Sequence, residues 1–169
     1  GFESGSQRVL DKIKKMTTVK KNYQAAKVTK RAGLKMFGFF MLGNPGETWI
    51  DMFKTIVMAK IIRPDYYQFS ITRPDPGSEL YNTYEDEILK NLTSWSDYYS
   101  FPVELIKMPV VKSLLTGRQL VAMRHLAYGF LSRGLLYLLW CVLVMIIERI
   151  SGSRYAVIKK IYHRLLRRR

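Results

Sequence analysis

Apolar Val9, Leu10, Ile13 and Met16 fall on one helical face, with Arg8, Asp11, Lys12 and Lys15 placed around the other sides, so Ser6–Met16 reads as a short amphipathic helix. Thr17 and Thr18 both suit the N-cap of a second helix through Val19, Tyr23, Ala26 and Ala32, and Gly33 stands where a left-handed C-terminal residue is expected. Leu34–Leu42 then runs almost without polar residues between glycine-containing breaks, which predicts a strand buried on both faces. Trp49, Ile50, Met52, Phe53, Ile56, Val57 and Ile61 recur at helical spacing until Pro64 stops them. Tyr66–Ile71 is β-prone and Pro74–Ser78 is a turn. Strand, helix and strand in this order over about 30 residues predict a right-handed βαβ crossover. Taking Gly1–Ser6 as the end of an earlier strand gives parallel strands with helices over both faces, an α/β sheet or barrel.

From Asn82 the periodicity weakens, and the acids Glu85, Asp86 and Glu87 and the aromatics Trp95, Tyr98, Tyr99 and Phe101 suggest irregular chain to Thr116, with 83–116 as a covering segment. From Gly117 the chain is helical and basic. Its uncharged run Leu135–Ile147 has 13 residues, short of the roughly 20 that a spanning helix needs.

Charge changes this picture. The 28 Lys and Arg against 13 Asp and Glu leave a net +15, and Arg118–Arg169 alone holds 11 cations and one acid, Glu148. Residues 1–117 therefore carry +5 and suggest an ordinary domain surface. The one cysteine, Cys141, excludes a disulfide framework and a multi-thiolate zinc site. His125 and His163 lack nearby ligand types and read as structural. Neither an initiator Met nor a signal-peptide pattern opens the chain, so a piece of a longer, cytoplasmic protein is expected.

In parallel α/β folds, ligands bind beyond the carboxyl ends of the strands. Three segments end strands there: Glu3-Ser4-Gly5-Ser6, with a carboxylate and two hydroxyls; Gly43-Asn44-Pro45-Gly46-Glu47-Thr48, whose glycines admit close backbone approach; and Arg73-Pro74-Asp75-Pro76-Gly77-Ser78. The second lacks the Gly-Lys-Ser/Thr ending of a nucleotide-triphosphate loop. Each alone is a weak signal, and Ser4 or Ser6 alone would read as a helix cap.

Together and in order, Gly1-Phe2-Glu3-Ser4-Gly5-Ser6 with Gln7-Arg8-Val9-Leu10, then Gly38–Thr48, then Gln68–Ile71 with Pro74–Tyr81, resemble the second half of a radical S-adenosylmethionine enzyme barrel. The likeness is nearest to the branch that carries a cobalamin-binding domain. It implies an α/β fold, the C-terminal half of a (β/α)6 partial TIM-type barrel in residues 1–82 (the end of strand four, then strands five and six), followed by the 83–116 segment and a basic α-helical extension over 117–169. It also implies a 4Fe-4S iron-sulfur cluster, held elsewhere by Cys-x3-Cys-x2-Cys, that cleaves S-adenosylmethionine to a 5′-deoxyadenosyl radical, with cobalamin as a further cofactor. By position, Glu3 and Ser4 would face the ribose and methionyl parts of S-adenosylmethionine, and Lys15 would pair with the methionyl carboxylate as a point charge. Met41 and Leu42, followed by Gly43, would give apolar and backbone contacts to adenine. Phe39 departs from relatives that place an acid early in strand five. The cluster cysteines are absent, so this polypeptide alone is expected to be inactive, and the residues that choose a small-molecule or lipid-like substrate are expected elsewhere.

The C-terminal part has its own two readings. Residues 126–169, with Leu135–Ile147 between Arg133 and Arg149 and the cations that follow, suit peripheral contact with an anionic membrane. The other reading is a core helix with a solvated basic end. Nucleic acid ranks behind membrane as a partner, because no finger, recognition-helix pattern or stacking motif accompanies the charge. A non-catalytic basic module that binds membrane or nucleic acid through these helices is the alternative to the enzyme.

Overall fold

The computed structural model describes residues 1–91, 116–134 and 139. The chain divides into two compact units, Gly1–Tyr128 and Gly129–Arg169.

In the first unit, α1 (Gln7–Lys12), α2 (Val19–Arg31), β1 (Phe37–Leu42), α3 (Trp49–Ile62), β2 (Tyr66–Ile71), α4 (Glu79–Asn91) and the start of α5 (Gly117–Arg133) follow in order. The fold is mixed α/β. β1 and β2 form a two-stranded parallel sheet in which Phe37 pairs with Tyr66 and Leu42 with Ile71. Before them, the Phe2 and Glu3 amides donate to the Phe39 carbonyl and Met41 donates to that of Glu3, a single parallel bridge between Glu3 and Phe40. The first segment thus lies beside β1, and its last residues end at the same edge as the carboxyl end of β1.

α2 begins at Thr18, whose hydroxyl accepts from the Lys21 amide, and ends at Gly33 with φ 71°. α3 begins with a capping box, Thr48 and Asp51 each satisfying the other's amide, and ends at left-handed Arg63 before Pro64. α3 packs on β1 and α2 on α3. Val9, Leu10, Phe40, Leu42, Met52, Ile56, Met58, Ala59, Ile62 and Phe69 are buried. Gly5 lies so close to the α3 backbone that a Cβ would meet the Lys54 carbonyl carbon at 2.6 Å, which ties the first segment onto α3.

Three expectations change. β1 was expected to be buried on both faces, but Phe37 and Phe39 are exposed while Phe40 and Leu42 are buried. The helices among the described residues cover one face of the sheet and leave the other open. The first helix stops at Lys12, not Met16, because Lys14 and Met16 adopt left-handed backbone. Asn82–Asn91, expected to be irregular, is helical. Its Ser78 hydroxyl accepts from the Tyr81 amide, and Tyr81, Tyr84 and Ile88 pack together at helical spacing behind the acids that obscured it.

α5 closes the outer edge of β2. The Phe69 amide donates to the Tyr128 hydroxyl at 3.1 Å, the Tyr128 ring meets those of Tyr67 and Phe69, and Leu120 and Ala127 are buried. In the second unit, Gly134 at φ 77° donates to the Phe130 carbonyl at the end of α5. Among the described residues no helix is long and apolar enough to cross a membrane. The Leu135–Ile147 run, apart from Leu139, the cations after it and most of the 83–116 segment lie outside the described residues.

Candidate functional site

Glu3 ends the first segment at φ 60°, and Lys14 and Met16 after α1 have φ 54° and 58°. Each left-handed non-glycine residue costs about 1–2 kcal/mol, so three around one point mark a place where chain direction outweighs local comfort. Their effect is visible in Lys15, which lies between two of them. Its amide closes on the Leu10 carbonyl and its ammonium lies 2.9 Å from Glu3 Oε1. The resemblance assigns Glu3 to the ribose and methionyl parts of one cofactor and Lys15 to its methionyl carboxylate, and the structure brings the two side chains together as an ion pair. Both side chains keep contact with solvent, Lys15 more than Glu3.

Ser4 is buried and its hydroxyl works within the protein: it lies 3.1 Å from Thr55 Oγ1 and accepts from the Ser6 amide. The Gly5 amide donates to the same Thr55 hydroxyl at 2.9 Å. Ser6 donates to Asp51 Oδ1 at 2.6 Å, while Asp51 Oδ2 accepts from the Thr48 amide and hydroxyl and from Arg8. Arg8 also holds the Gly46 carbonyl at 3.0 Å. The first strand-end segment is thereby pinned to the start of α3. Burial alone would raise the Asp51 carboxyl, but the donors from Ser6, Thr48 and Arg8 outweigh it and hold that carboxyl far below the usual range.

The second strand-end segment closes on itself. Gly43 turns at φ 82°, and its amide and that of Asn44 donate to Glu47 Oε2 at 2.7 and 2.9 Å, with Asn44 Nδ2 at 3.2 Å. Asn44 Oδ1 in turn accepts from the Thr72 hydroxyl at 3.0 Å, which joins the loop to the end of β2. Glu47 is fully buried, and among the described residues Oε1 has no hydrogen-bond partner. Burial pushes this carboxyl up to about 7, with the donors from Asn44 and Gly43 opposing the rise and the Asp51 charge adding to it. A Cβ at Gly43 would meet Leu120 of α5 at 2.9 Å. The first two strand-end segments are therefore tied together by Asp51 and Arg8, and Asn44 joins the second to Thr72, the residue before the third.

Leu42 is buried beneath this loop, whereas Met41 is half-buried on the open face of the sheet. Register sets Phe39 beside Gln68 and Met41 beside Ser70 on that face. Arg8, Asp51, Thr55 and Thr72 were not singled out from the sequence. Thr48-Trp49-Ile50-Asp51 has capping-box spacing and could have flagged Asp51. The partners Ser6, Arg8 and Thr72 are 45, 43 and 28 residues from the groups they bind, beyond any local pattern.

Among the described residues no three His, Cys, Asp or Glu side chains could hold an ion, and the sequence has a single cysteine. A 4Fe-4S cluster on three thiolates does not fit the residues of this chain.

No protein-family model matches the sequence. Three curated proteins are similar. An uncharacterized methyltransferase of Pyrococcus horikoshii is 38% identical over 111 residues, 63% of this chain and 24% of that protein. A protein provisionally named methylthiotransferase of Methanocaldococcus jannaschii is 40% identical over 47% of this chain and 18% of its own length. The anaerobic magnesium-protoporphyrin IX monomethyl ester cyclase of Rubrivivax gelatinosus is 30% identical over 52% of this chain and 16% of its own length. The matches bear out the resemblance read from the sequence: these relatives are members of the radical S-adenosylmethionine superfamily, which the chain resembles. It spans about a quarter or less of the length of these relatives.

Proposed function

We propose that this chain is the C-terminal part of a radical S-adenosylmethionine enzyme acting in a methyl-related reaction, and that it supplies part of the S-adenosylmethionine pocket. In that reading β1 and β2 are strands five and six of a (β/α)6 partial barrel, and Glu3 belongs to the end of strand four. The relatives named methyltransferase, methylthiotransferase and cyclase support the enzyme class. The observation that carries the site is the Glu3–Lys15 pair, half-open to solvent at the strand ends and surrounded by left-handed backbone. An α-amino acid carries an ammonium and a carboxylate, and a carboxylate beside an ammonium matches them one for one by exchanging partners. Met41 on the open face and the Gly43 backbone then lie where an adenine would rest. Ser4 acts by holding this segment on Thr55. The 4Fe-4S cluster, whose role is reductive cleavage of S-adenosylmethionine, and cobalamin would be held by residues outside this chain, which alone is inactive.

The test is a titration of the isotope-labelled chain with S-adenosylmethionine, read by amide chemical shifts. Millimolar binding is expected to move Glu3, Lys15 and Met41–Gly43 and to be lost in Lys15→Ala. Unchanged shifts at Glu3 and Lys15 would sink the assignment. Reading the encoding gene in frame ahead of the Gly1 codon tests the cluster separately: Cys-x3-Cys-x2-Cys supports it, and a reading frame without that motif removes it.

A further inference from the structure

The +5 of residues 1–117 is not evenly spread. Between Asp11 and Glu47 the chain holds nine Lys and Arg and no acid. Within α2, Lys20, Lys27 and Arg31 lie along one exposed line at spacings of seven and four residues, with Lys21 and Lys30 on its flanks. None of these five takes part in an ion pair among the described residues.

The end of this basic surface coincides with exposed apolar side chains. The loops before β1 and β2 meet where the Met36 amide donates to Asp65 Oδ2 at 2.8 Å and the Tyr66 amide donates to the Met36 carbonyl. Around that junction Leu34 is 63% exposed, Ile61 60%, Tyr66 53% and Phe37 50%, with the Phe37 and Tyr66 rings 6.1 Å apart. Exposed Lys30, Arg31, Lys35 and Arg63 neighbour them along the chain, and Asp65 is the acid at the junction. Apolar tips flanked by cations fit a surface that is negative outside and apolar beneath.

We propose that the amino-terminal end of β1 and β2 docks on an anionic lipid surface. Lys30, Arg31, Lys35 and Arg63 would meet the headgroup phosphates while Leu34, Ile61, Phe37 and Tyr66 enter the interface. Charge complementarity selects an anionic partner. The aliphatic Leu34 and Ile61 select lipid over nucleic acid, which has no apolar layer to receive them. This end lies opposite Glu3, Lys15 and the Gly43–Thr48 loop, so the lipid surface would leave the strand-end site open. The inference does not rest on the enzyme reading.

An environment-sensitive NBD fluorophore on Leu34→Cys, in the full chain with Cys141→Ser, tests it. A second probe on Trp49→Cys reports the opposite end, where Trp49 is also exposed. Vesicles of phosphatidylcholine with phosphatidylglycerol are expected to blue-shift the probe at 34 and leave that at 49 in water, and pure phosphatidylcholine to shift neither. Lys30→Glu/Arg31→Glu/Lys35→Glu should weaken the response at 34 by about a hundredfold. The triple change lies on exposed positions, and an unchanged far-ultraviolet spectrum would show that it folds. No shift at 34, an equal shift on neutral vesicles, a shift at both positions, or a response that survives the triple variant would each overturn the proposal.

Discussion

Glu47 and Asp51 stand four residues apart at the start of α3, both buried carboxyls, and they titrate in opposite directions. The outer region, around Asp51, offers donors to both oxygens: Ser6 to one, and Thr48 and Arg8 to the other. The inner region, beneath the loop, aims every donor at one oxygen of Glu47 and leaves the other without a partner. Burial penalises both charges, more deeply at Glu47, so the contrast is made by depth of burial together with the number and charge of the donors. The outer carboxylate, as an anion, joins the first segment and α1 to the start of α3, and the inner one closes the loop while keeping its proton close to neutral pH.

The largest expected consequence is an unusual stability profile. Glu47 rises from 4.5 to about 7 on folding, so the folded chain binds the extra proton between those values. Its contribution is complete below pH 4.5 and is lost as pH rises through about 7, and by linkage this weakens the fold by about 3 kcal/mol. Urea denaturation from pH 5 to pH 8 should show that decline in the wild type and no such decline in Glu47→Gln. The same decline in both proteins would remove Glu47 as its source and break the comparison.

Asp51 has the opposite sign. Its carboxyl is lowered on folding, so its contribution is complete above its ordinary value of 3.8 and is lost as pH falls below it. Asp51→Asn loses the charge-assisted bonds from Arg8, Ser6 and Thr48, at a cost of about 2 kcal/mol at neutral pH. The deficit should shrink as the pH is lowered through 3.8 toward 2, because the unfolded wild type takes up a proton there that the folded carboxyl resists. A deficit that stays constant with pH would mean that shape, not charge, holds the outer region.

How much of this was open to sequence reading follows distance along the chain. β1, α3 and β2 follow from apolar spacing and from Pro64, because strand and helix periods are local. The three strand-end segments were also legible, and Glu3 and Lys15 were named as candidates through the resemblance. Their pairing was not, since it requires left-handed backbone at Lys14 and Met16, residues that ordinarily avoid it. Ser4 looked like a ligand contact because a hydroxyl at a strand end suits one. The Thr55 hydroxyl that it meets lies 51 residues away, on the second turn of a helix whose apolar stripe concealed it. The charge of residues 1–117 misled in another way: a net +5 looked ordinary until α2 placed its cations on one exposed face.

The smallest expected effect separates donor placement from burial. Thr72 is buried at the end of β2 and donates to Asn44 Oδ1, while Asn44 Nδ2 donates to Glu47 Oε2. Thr72→Val keeps the shape and removes the hydroxyl, leaving the Asn44 oxygen without that donor, at a cost of about 1 kcal/mol. A freer Asn44 stabilises the Glu47 anion less, so the loss of stability with rising pH should move to higher pH. Both readouts come from the same urea series used for Glu47→Gln. If stability falls while the pH profile stays in place, Asn44 is held by Thr72 but does not set the charge of Glu47, and burial with the Gly43 and Asn44 amides accounts for the inner region. If both move together, the end of β2 reaches the loop carboxyl through one side chain, and the inner region is governed by its donors as the outer one is.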